Sequence, residues 1–241
     1  VGGERVITVL APDLKEESSQ SISASADYNV TIGSVQTNFT LEGFYTNLDD
    51  VFVLRQLDEP DAEGNAVLER CNGDGARVYG MSLEAMAVLP FGMQIQAGAT
   101  LQRSRYKKPE YWSEDPDVPP VRNLFRTPDI YGYATVSYKP VNPLTLALSG
   151  NFSGPMTVQH LVGSGTEVDV AVRTRSFFDV TFKASYEIKL FDHANLEINA
   201  GLQNIFNSYQ DDFDRGTFRD SGYIYGPMMP RSIFAGVKLH I

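Results

Sequence analysis

Hydrophobic and polar residues alternate one by one along much of this chain, in segments of about ten residues. In segment 93–101 the apolar residues Met93, Ile95 and Leu101 occupy odd positions, and glutamine, glycine and threonine occupy the even ones. Segment 178–190 repeats this alternation. Successive side chains of a strand point to opposite faces, so each segment predicts a β-strand with one apolar and one polar face. Strands of this kind are typical of membrane barrels, which meet lipid outside and water inside.

Nine such strands follow one another, and their connections alternate between short and long. The strands are predicted near residues 20–30, 35–45, 79–87, 93–101, 130–138, 144–152, 178–190, 196–202 and 233–241. The short connections are 31–34, 89–92, 139–143 and 191–195, and the long ones are roughly 47–75, 104–128, 154–176 and 207–230. Outer-membrane barrels place short turns on the periplasmic side, so the last strand is expected to run inward. Residues 51–57 and 67–70 are predicted to be strands continuing beyond the bilayer.

Aromatic residues cluster near the predicted strand ends, which indicates a girdle at each membrane surface. The residues concerned are Tyr28, Phe44, Tyr45, Phe91, Tyr138, Phe191, Phe206 and Tyr209. Ordinary aromatic enrichment in strands is the alternative explanation.

Composition narrows the class of protein further. The longest run without charge or strong polarity, Ala85–Met93, is far shorter than the roughly 20 apolar residues of a membrane-spanning helix. A membrane protein without such a helix must close its strands into a barrel, since lipid cannot satisfy an open backbone. The net charge of −10 argues against nucleic acid as a partner. Acidic residues concentrate between the strands, where we expect solvated loops, and the single Cys71 is expected to be an ordinary loop thiol.

The number of strands points to a larger barrel. Nine is odd, whereas single-chain bacterial barrels usually have an even number of strands. A sheet of nine would leave two long unpaired edges, which are costly in lipid. Val1 is not followed by a basic and apolar leader, so any export signal is expected to be upstream or removed. The predicted fold is all-β: an antiparallel up-and-down transmembrane β-barrel, of which this chain supplies about nine strands.

Four short motifs resemble TonB-dependent outer-membrane receptors, and they occur in that family's order. Gly201–Asn207 is similar to the family's "N-[LI]-F-[ND]" stretch in the penultimate strand, and Tyr225–Arg231 to its "P-R" pair before the final strand. Pro12–Glu17 resembles "N-L-K-P-E", and Glu42–Asp50 resembles "F-Y-T-x-[IL]-x-[DN]". The resemblance implies a barrel of about 22 strands with a plugged lumen. Residues 1–241 would then be the C-terminal portion of this barrel, without the plug domain and the N-terminal strands.

The final strand resembles the insertion signal of outer-membrane barrels. Gly236 is followed by Leu239 and Ile241 on one face. The family usually ends in phenylalanine or tryptophan, so the terminal Ile241 retains the apolar face but lacks a ring. This departure bears on the efficiency of assembly rather than on membership of the family.

Candidate catalytic chemistry is sparse. His160 lies in a long loop, His193 in a tight turn and His240 next to the terminus, so the topology keeps the three from forming one metal site. His160 could act as a general base with an aspartate or serine nearby, but no nucleophile is marked. The chain is therefore predicted not to be an enzyme, with no catalytic residues, no metal site and no cofactor. The acidic run 211–214 could hold Ca²⁺, although it lacks a fixed ligand spacing and solvation is favoured.

Ligand binding is the more plausible chemistry. The 104–128 loop contains Arg105, Tyr111 and the only tryptophan, Trp112, and rigid aromatic loops suit ligand capture because rings bury area at low entropic cost. Tyr131 and Tyr133 fall on the inward, polar phase of the next strand. These five residues are the predicted ligand-binding set. A self-packed loop cap, or contact of the tyrosines with the plug, is the alternative.

The resemblance implies TonB-dependent active uptake of a scarce bulky solute across the bacterial outer membrane. The cargo would be a ferric siderophore, haem, cobalamin or an oligosaccharide. Implied partners are outer-membrane lipid, the protein's own plug domain, TonB and this cargo, with a surface lipoprotein as a further candidate and no nucleic acid. The competing interpretations are a passive porin-like channel, an outer-membrane adhesin or structural barrel, and a soluble β-sandwich.

Overall fold

The computed structural model describes residues 7–57, 59, 62, 67–113, 115–191 and 193–240, and within them every regular element is a strand. The fifteen strands are β1 Ile7–Leu10, β2 Ser18–Ile32, β3 Val35–Asp49, β4 Phe52–Gln56, β5 Val67–Asn72, β6 Ala76–Leu89, β7 Met93–Glu110, β8 Val121–Asn123, β9 Ile130–Val141, β10 Leu144–Ser153, β11 Thr157–His160, β12 Val170–Arg173, β13 Phe177–Phe191, β14 Ala194–Gln203 and β15 Ser232–His240. No helix in the described part of the chain is long and apolar enough to span a membrane.

Nine long strands form one antiparallel up-and-down sheet, as the alternation predicts. Its order is β2-β3-β6-β7-β9-β10-β13-β14-β15, and the short β8 pairs with β7 beside this path. Each strand therefore lies next to the following long strand of the chain. Among the described residues β2 pairs only with β3, and β15 only with β14, so the sheet does not close on itself.

Tight turns and long loops alternate along the main sheet, which confirms the predicted sorting of the connections. Gly33 lies between β2 and β3, and Gly92 ends the turn between β6 and β7. Both glycines have positive φ angles, 63° and 80°, a conformation that side-chain-bearing residues rarely adopt. Asp192, in the predicted turn 191–195, lies outside the described residues.

The first long loop contains a small sheet of its own. We expected residues 51–57 and 67–70 to continue the barrel strands, and both segments are extended, as β4 and β5. However, β5 pairs in parallel with β1 and antiparallel with β4, in a three-stranded sheet separate from the main one. The parallel pairing joins Ile7 to Val67 across a long stretch of sequence, and no local pattern reports such a contact. Cys71 lies in β5, half-buried and reduced.

The two faces of the main sheet keep the predicted alternation. Outward residues such as Met81 and Leu101 are directly opposite each other and about half exposed, 51% and 53%. The inward face carries the polar side chains, and many of them are partly buried. The largest side chains that are fully buried, Val158 and Gln210, lie instead in the long connections.

Aromatic pairs mark both ends of the outward face. Tyr45 and Tyr79 stack with ring centroids 6.4 Å apart near the long loops, and Phe91 and Tyr138 meet edge-on at 6.3 Å near the short turns. On β7 these levels correspond to Arg103, opposite Tyr79, and Met93, opposite Tyr138. Ten residues of strand span about 33 Å. A tilt of about 40° reduces this to about 25 Å, the height of the apolar band of an outer-membrane barrel.

Candidate ligand-binding site

Two of the predicted ligand-binding residues lie on the inward wall of the sheet. Tyr133 is opposite Gly98 on β7, and its hydroxyl accepts a hydrogen bond of 3.1 Å from Gln96 Nε2. A Cβ at Gly98 would lie 2.6 Å from the Tyr133 ring, so glycine lets the ring lie flat against the wall. Tyr131 is on the same face one step closer to the loops and is more exposed. The sheet thus presents two tyrosines to the lumen, as the alternation predicts.

Most inward neighbours of these tyrosines are uncharged. Hydroxyl and amide groups dominate the faces of β7, β9 and β10, and the Ser82 and Thr100 hydroxyls hydrogen-bond each other at 2.9 Å. This wall can form many hydrogen bonds with a polar surface but offers little charge. It therefore suits either a polar solute or the surface of another protein domain.

The loop that follows β7, called the aromatic loop below, packs Trp112 against a neighbouring ring and leaves Tyr111 exposed to solvent. Trp112 packs edge-on against Phe125 with ring centroids 5.4 Å apart, and its indole Nε1 is buried without a hydrogen-bond partner among the described residues. Tyr111 is 71% exposed. Ser113 Oγ donates to Asp169 at 2.7 Å, which fastens this loop to the next long loop. A buried indole N–H without a partner is costly.

Arg105 does not join the other predicted residues. It has the same strand phase as Leu101 and lies opposite Arg77, on the outward side of the sheet, whereas Tyr131 and Tyr133 point inward. Its Nη1 donates to the carbonyl of Ser104. Ligand binding by Arg105 stays a prediction, and its position gives no support to a contact shared with Tyr131.

The last long loop is organised around Gln210, whose side chain is completely buried. Its Oε1 accepts from the backbone N–H groups of Tyr225 at 2.8 Å and Gly226 at 3.2 Å, and its Nε2 donates to the carbonyl of Tyr223 at 3.1 Å. One amide side chain thereby pairs three backbone groups that would otherwise be buried and unsatisfied. Arg126 joins the aromatic loop to this one by donating to the carbonyls of Ile224 and Gly222.

A histidine–aspartate pair lies beside this loop. His160 Nε2 and Asp214 Oδ1 are 3.0 Å apart, and their side chains are only 12% and 3% exposed. The imidazole stacks on Tyr223 with ring centroids 3.7 Å apart. A Cβ at Gly165 would lie 1.9 Å from Asp214 Oδ1, so only glycine allows this approach. The pair lines a pocket of about 440 Å³ that opens to solvent between the third and fourth long loops.

Two tyrosines converge on Asp212 in the same loop. The hydroxyl of Tyr225 donates to Asp212 Oδ2 at 2.5 Å, and that of Tyr223 donates at 3.2 Å. Burial, together with the negative charge of Asp212, raises the pKa of both tyrosines. Burial also opposes ionisation of Asp212, but hydrogen bonds from Tyr225 and Gln210 outweigh it and hold the pKa of this carboxyl below its ordinary value. The cluster is thus a neutral-tyrosine, charged-aspartate arrangement near neutral pH.

The polar side chains of this loop cluster are engaged with one another and with the backbone. Ser164 Oγ donates to the carbonyl of Arg215, not to His160, so these residues do not pair a nucleophile with a base. The acidic run 211–214 diverges: Asp211 pairs with Arg175, Asp212 with the tyrosines and Asp214 with His160. Within the described ranges, no group of three or more His, Cys, Asp or Glu side chains could hold a metal ion.

The sequence did not identify this cluster as a site. His160 and Asp214 are 54 positions apart with the three strands β12, β13 and β14 between them, and the sequence carries no spacing that brings them together. The sequence shows the acidic run 211–214. It does not show that the three aspartates of this run pair with three different partners.

The proposed insertion signal lies at the far end of the sheet. Leu239 is half exposed on the outward face of β15, and a Cβ at Gly236 would come within 3.2 Å of the Asn199 side chain on the inward face. Ile241 lies outside the described residues. A role for these residues in membrane insertion stays a prediction.

The architecture defines the class of protein. An up-and-down antiparallel sheet with an apolar outer face, aromatic pairs at both ends and long loops at one end is the wall of an outer-membrane β-barrel. Residues 2–205 match the family described as "TonB dependent receptor-like, beta-barrel", and the chain belongs to this family. Its members are receptors and transporters of the bacterial outer membrane, not enzymes.

Several solved structures have a similar fold. The ferripyoverdine receptor of the outer membrane of Pseudomonas aeruginosa, bound to ferripyoverdine, superposes with a TM-score of 0.63 at 15% identity over 94% of this chain and 27% of that one. The copper transporter OprC gives 0.60 at 12% identity, covering 95% and 32%. The FrpB iron transporter of Neisseria meningitidis gives 0.59 at 18%, covering 99% and 34%. The chain spans about a third or less of these proteins, and no curated protein matches it.

Proposed function

We propose that the protein containing this chain takes up a scarce, bulky solute across the outer membrane by TonB-dependent active transport. The observation that carries the proposal is the inward wall with its tyrosines, which continues into long loops joined to one another by Ser113–Asp169 and Arg126–Gly222 contacts. A linked loop cluster above a hydrogen-bonding wall suits capture at the surface followed by passage along the lumen. Membership of the TonB-dependent receptor family supports the energy source.

Cargo contact is assigned in this proposal to Tyr111, Trp112, Tyr131 and Tyr133. Tyr111 is exposed at the loop surface, Trp112 lies beside it and packs against Phe125, and the two inward tyrosines lie below on the wall. Aromatic rings bury large area at low entropic cost, and their polar atoms fix orientation. The four residues therefore form a route from the surface to the lumen.

The candidate cargoes are a ferric siderophore, haem, cobalamin and an oligosaccharide. The similar structures are named for ferripyoverdine, iron and copper, which favours a metal chelate as the first to be tested. A wall rich in amides and hydroxyls also suits polar, weakly charged cargo. The remaining proposed partners are outer-membrane lipid, a plug domain, TonB and a surface lipoprotein.

The proposal is tested by cargo uptake in whole cells. Cells with and without the gene for this protein are supplied with radiolabelled ferric siderophores, haem, cobalamin and oligosaccharides in turn. We expect uptake of one cargo to require both the gene and TonB, and to stop when the proton gradient is collapsed. Gene-dependent uptake that continues without TonB or the gradient would instead establish a passive porin-like channel.

The binding residues are tested in the same cells. Replacing Tyr131 and Tyr133 together with alanine should weaken cargo binding about thirtyfold, since each ring contributes on the order of 1 kcal/mol. Tyr138→Ala is the matched control, because Tyr138 belongs to β9 but faces outward beside Phe91. Equal losses in the two variants would argue against a lumenal cargo contact.

A further inference from the structure

An acidic side chain lies on the inward wall beside the two lumenal tyrosines. Asp179 on β13 is directly opposite Asn151 on β10, and Asn151 is directly opposite Tyr133 on β9. Phe178, the preceding residue, is exposed on the outward face, so Asp179 points to the lumen. The tyrosine wall therefore continues, within two strands, into an amide and then a carboxylate.

The Asp179 carboxylate has no partner in the described part of the chain. Its Oδ1 is buried and accepts no hydrogen bond, and its Oδ2, which is not fully buried, accepts none either. The basic residues four positions away on each side, Arg175 and Lys183, are each paired with another acidic side chain. A carboxylate oxygen that is buried without a donor is costly, so such a group in a folded protein calls for an explanation.

Among the described residues, no cation compensates this charge along the same row of the wall. Continued in register from Tyr133 toward β2, the row adds Gly98, Glu84, Thr40 and Asp27. Its charged members are therefore all carboxylates. A surface lined by one sign of charge attracts ions of the opposite sign and repels those of the same sign. An anionic solute would meet repulsion at this row, and a solute with donor groups would meet acceptors.

We propose that Asp179 selects the cargo by charge: the lumen accepts a solute without net negative charge that presents an N–H, O–H or ammonium group to this carboxylate. The inference rests on the proposed function and narrows its class of cargo. The Tyr133 ring covers the apolar part of the solute, and Asp179 accepts a hydrogen bond from the donor group. An uncharged ferric chelate, cobalamin and a neutral oligosaccharide fit this condition. Haem, with its propionates, and a trianionic ferric chelate do not.

Two substitutions change the charge of this side chain in steps. Asp179→Asn preserves the size of the side chain and one acceptor oxygen but removes the negative charge. A hydrogen bond to a charged acceptor is about twice as strong as one to a neutral acceptor. We therefore expect Asp179→Asn to weaken binding of an uncharged, donor-bearing cargo about tenfold. Asp179→Lys places a cation in the row and should remove the discrimination against a trianionic chelate.

The test measures equilibrium binding of defined probes to the full-length protein, purified in mild detergent, by isothermal titration calorimetry. Two probes share the metal and differ in charge: a ferric trihydroxamate, which is uncharged, and a ferric tricatecholate, which is trianionic. Cyanocobalamin, a neutral oligosaccharide and haem complete the set, and an uncharged probe should bind most tightly. Glu187→Gln and Glu187→Lys are the matched controls, because Glu187 has the same strand phase eight positions closer to the short turns. Both should bind as the unaltered protein does.

Folding of each variant is checked by its resistance to unfolding in detergent without heating. Tightest binding of an anionic probe, binding of no probe, or equal affinities in Asp179→Asn and Glu187→Gln would overturn the proposal. Binding does not involve TonB, so uptake that proceeds without TonB would overturn only the active transport proposed above. In cells, Asp179→Asn should raise the concentration for half-maximal uptake and leave the maximal rate unchanged. The reverse pattern would assign Asp179 to the transport step and would also overturn charge selection.

Discussion

The strand wall and the loop cluster of this chain are held together by different means. In the wall, backbone ladders between antiparallel strands provide the structure, and the side chains remain partly exposed on both faces. In the loop cluster, a few buried side chains hold the structure together. Gln210 hydrogen-bonds three backbone groups. Asp214 contacts both the His160 side chain and the backbone N–H of Asp220. A wall of this kind tolerates polar change on its lumen side, whereas the loops depend on a few individual residues.

The largest effect should come from a charge on the lipid face of the wall. Ala97 on β7 faces outward near mid-height, between the Met93 and Arg103 levels. Ala97→Arg should destabilise the protein by about 2–4 kcal/mol, the usual cost of arginine at the midplane of a barrel. The measurement is the urea midpoint of unfolding in phosphocholine vesicles. Gln94→Arg, on the inward face of the same strand, should have little effect, and a comparable loss there would contradict the assignment of the faces.

The next effect should be confined to the loops. Gln210→Leu leaves the N–H groups of Tyr225 and Gly226 without their acceptor, at a cost of about 2 kcal/mol. Limited proteolysis should then cut the 207–230 loop faster, while the urea midpoint of the wall stays unchanged. Gln94→Leu serves as the matched control because Gln94 is exposed on the wall. Joint unfolding of the loops and the wall in Gln210→Leu would show that the two regions are not independent.

A smaller effect should follow from one added methyl group. In Gly165→Ala the new Cβ would overlap Asp214 Oδ1, so the His160–Asp214 pair must separate, at about 1 kcal/mol. Amide exchange at Asp220, whose N–H donates to Asp214 Oδ2, should accelerate. Gly43→Ala is the control, because a Cβ there would contact nothing within 4 Å. Unchanged exchange in Gly165→Ala would argue that the pair does not order the loop.

The smallest effect concerns pH. The pKa of Asp212 is lowered in the folded state, so its contribution is present above about pH 4 and is lost as pH falls through the lowered value. The pKa of Tyr225 is raised, so its contribution is present below about pH 10 and is lost as pH rises beyond that. Protection of the 207–230 loop from proteolysis should therefore be greatest between these limits.

Asp212→Asn tests this assignment. It should remove the acid limb of the protection profile and make Tyr225 easier to ionise, as read by ultraviolet titration of tyrosinate. Asp211→Asn, which alters the neighbouring carboxylate paired with Arg175, should leave both readouts unchanged. An acid limb that persists in Asp212→Asn would assign it to another carboxylate.

The sequence predicts the wall well because the period of two is a local property. The nine strands, their order and their two faces follow from alternation and loop length alone. The same count also places Arg103 and Arg105 with Leu101 on the outward face, apart from the inward tyrosines. Outward residues of β7 have odd numbers, so the face of each arginine can be read from the sequence alone.

The loops could not be predicted in the same way, because their contacts join distant residues with no period between them. His160 meets Asp214 from another loop, and β1 pairs in parallel with β5. Neither Gln210 nor Gly165 differs in the sequence from an ordinary loop residue. Their importance arises only when several connections pack together.

The direction of the two edge strands limits how this sheet can be completed. Both β2 and β15 begin at the long-loop end and run toward the short turns. If a second copy, inserted the same way, were placed beside the first, β15 of one copy would run parallel to β2 of the other. Two identical sheets therefore cannot seal into an antiparallel ring by simple rotation about the membrane normal. Any antiparallel closure of this wall requires an odd number of intervening strands.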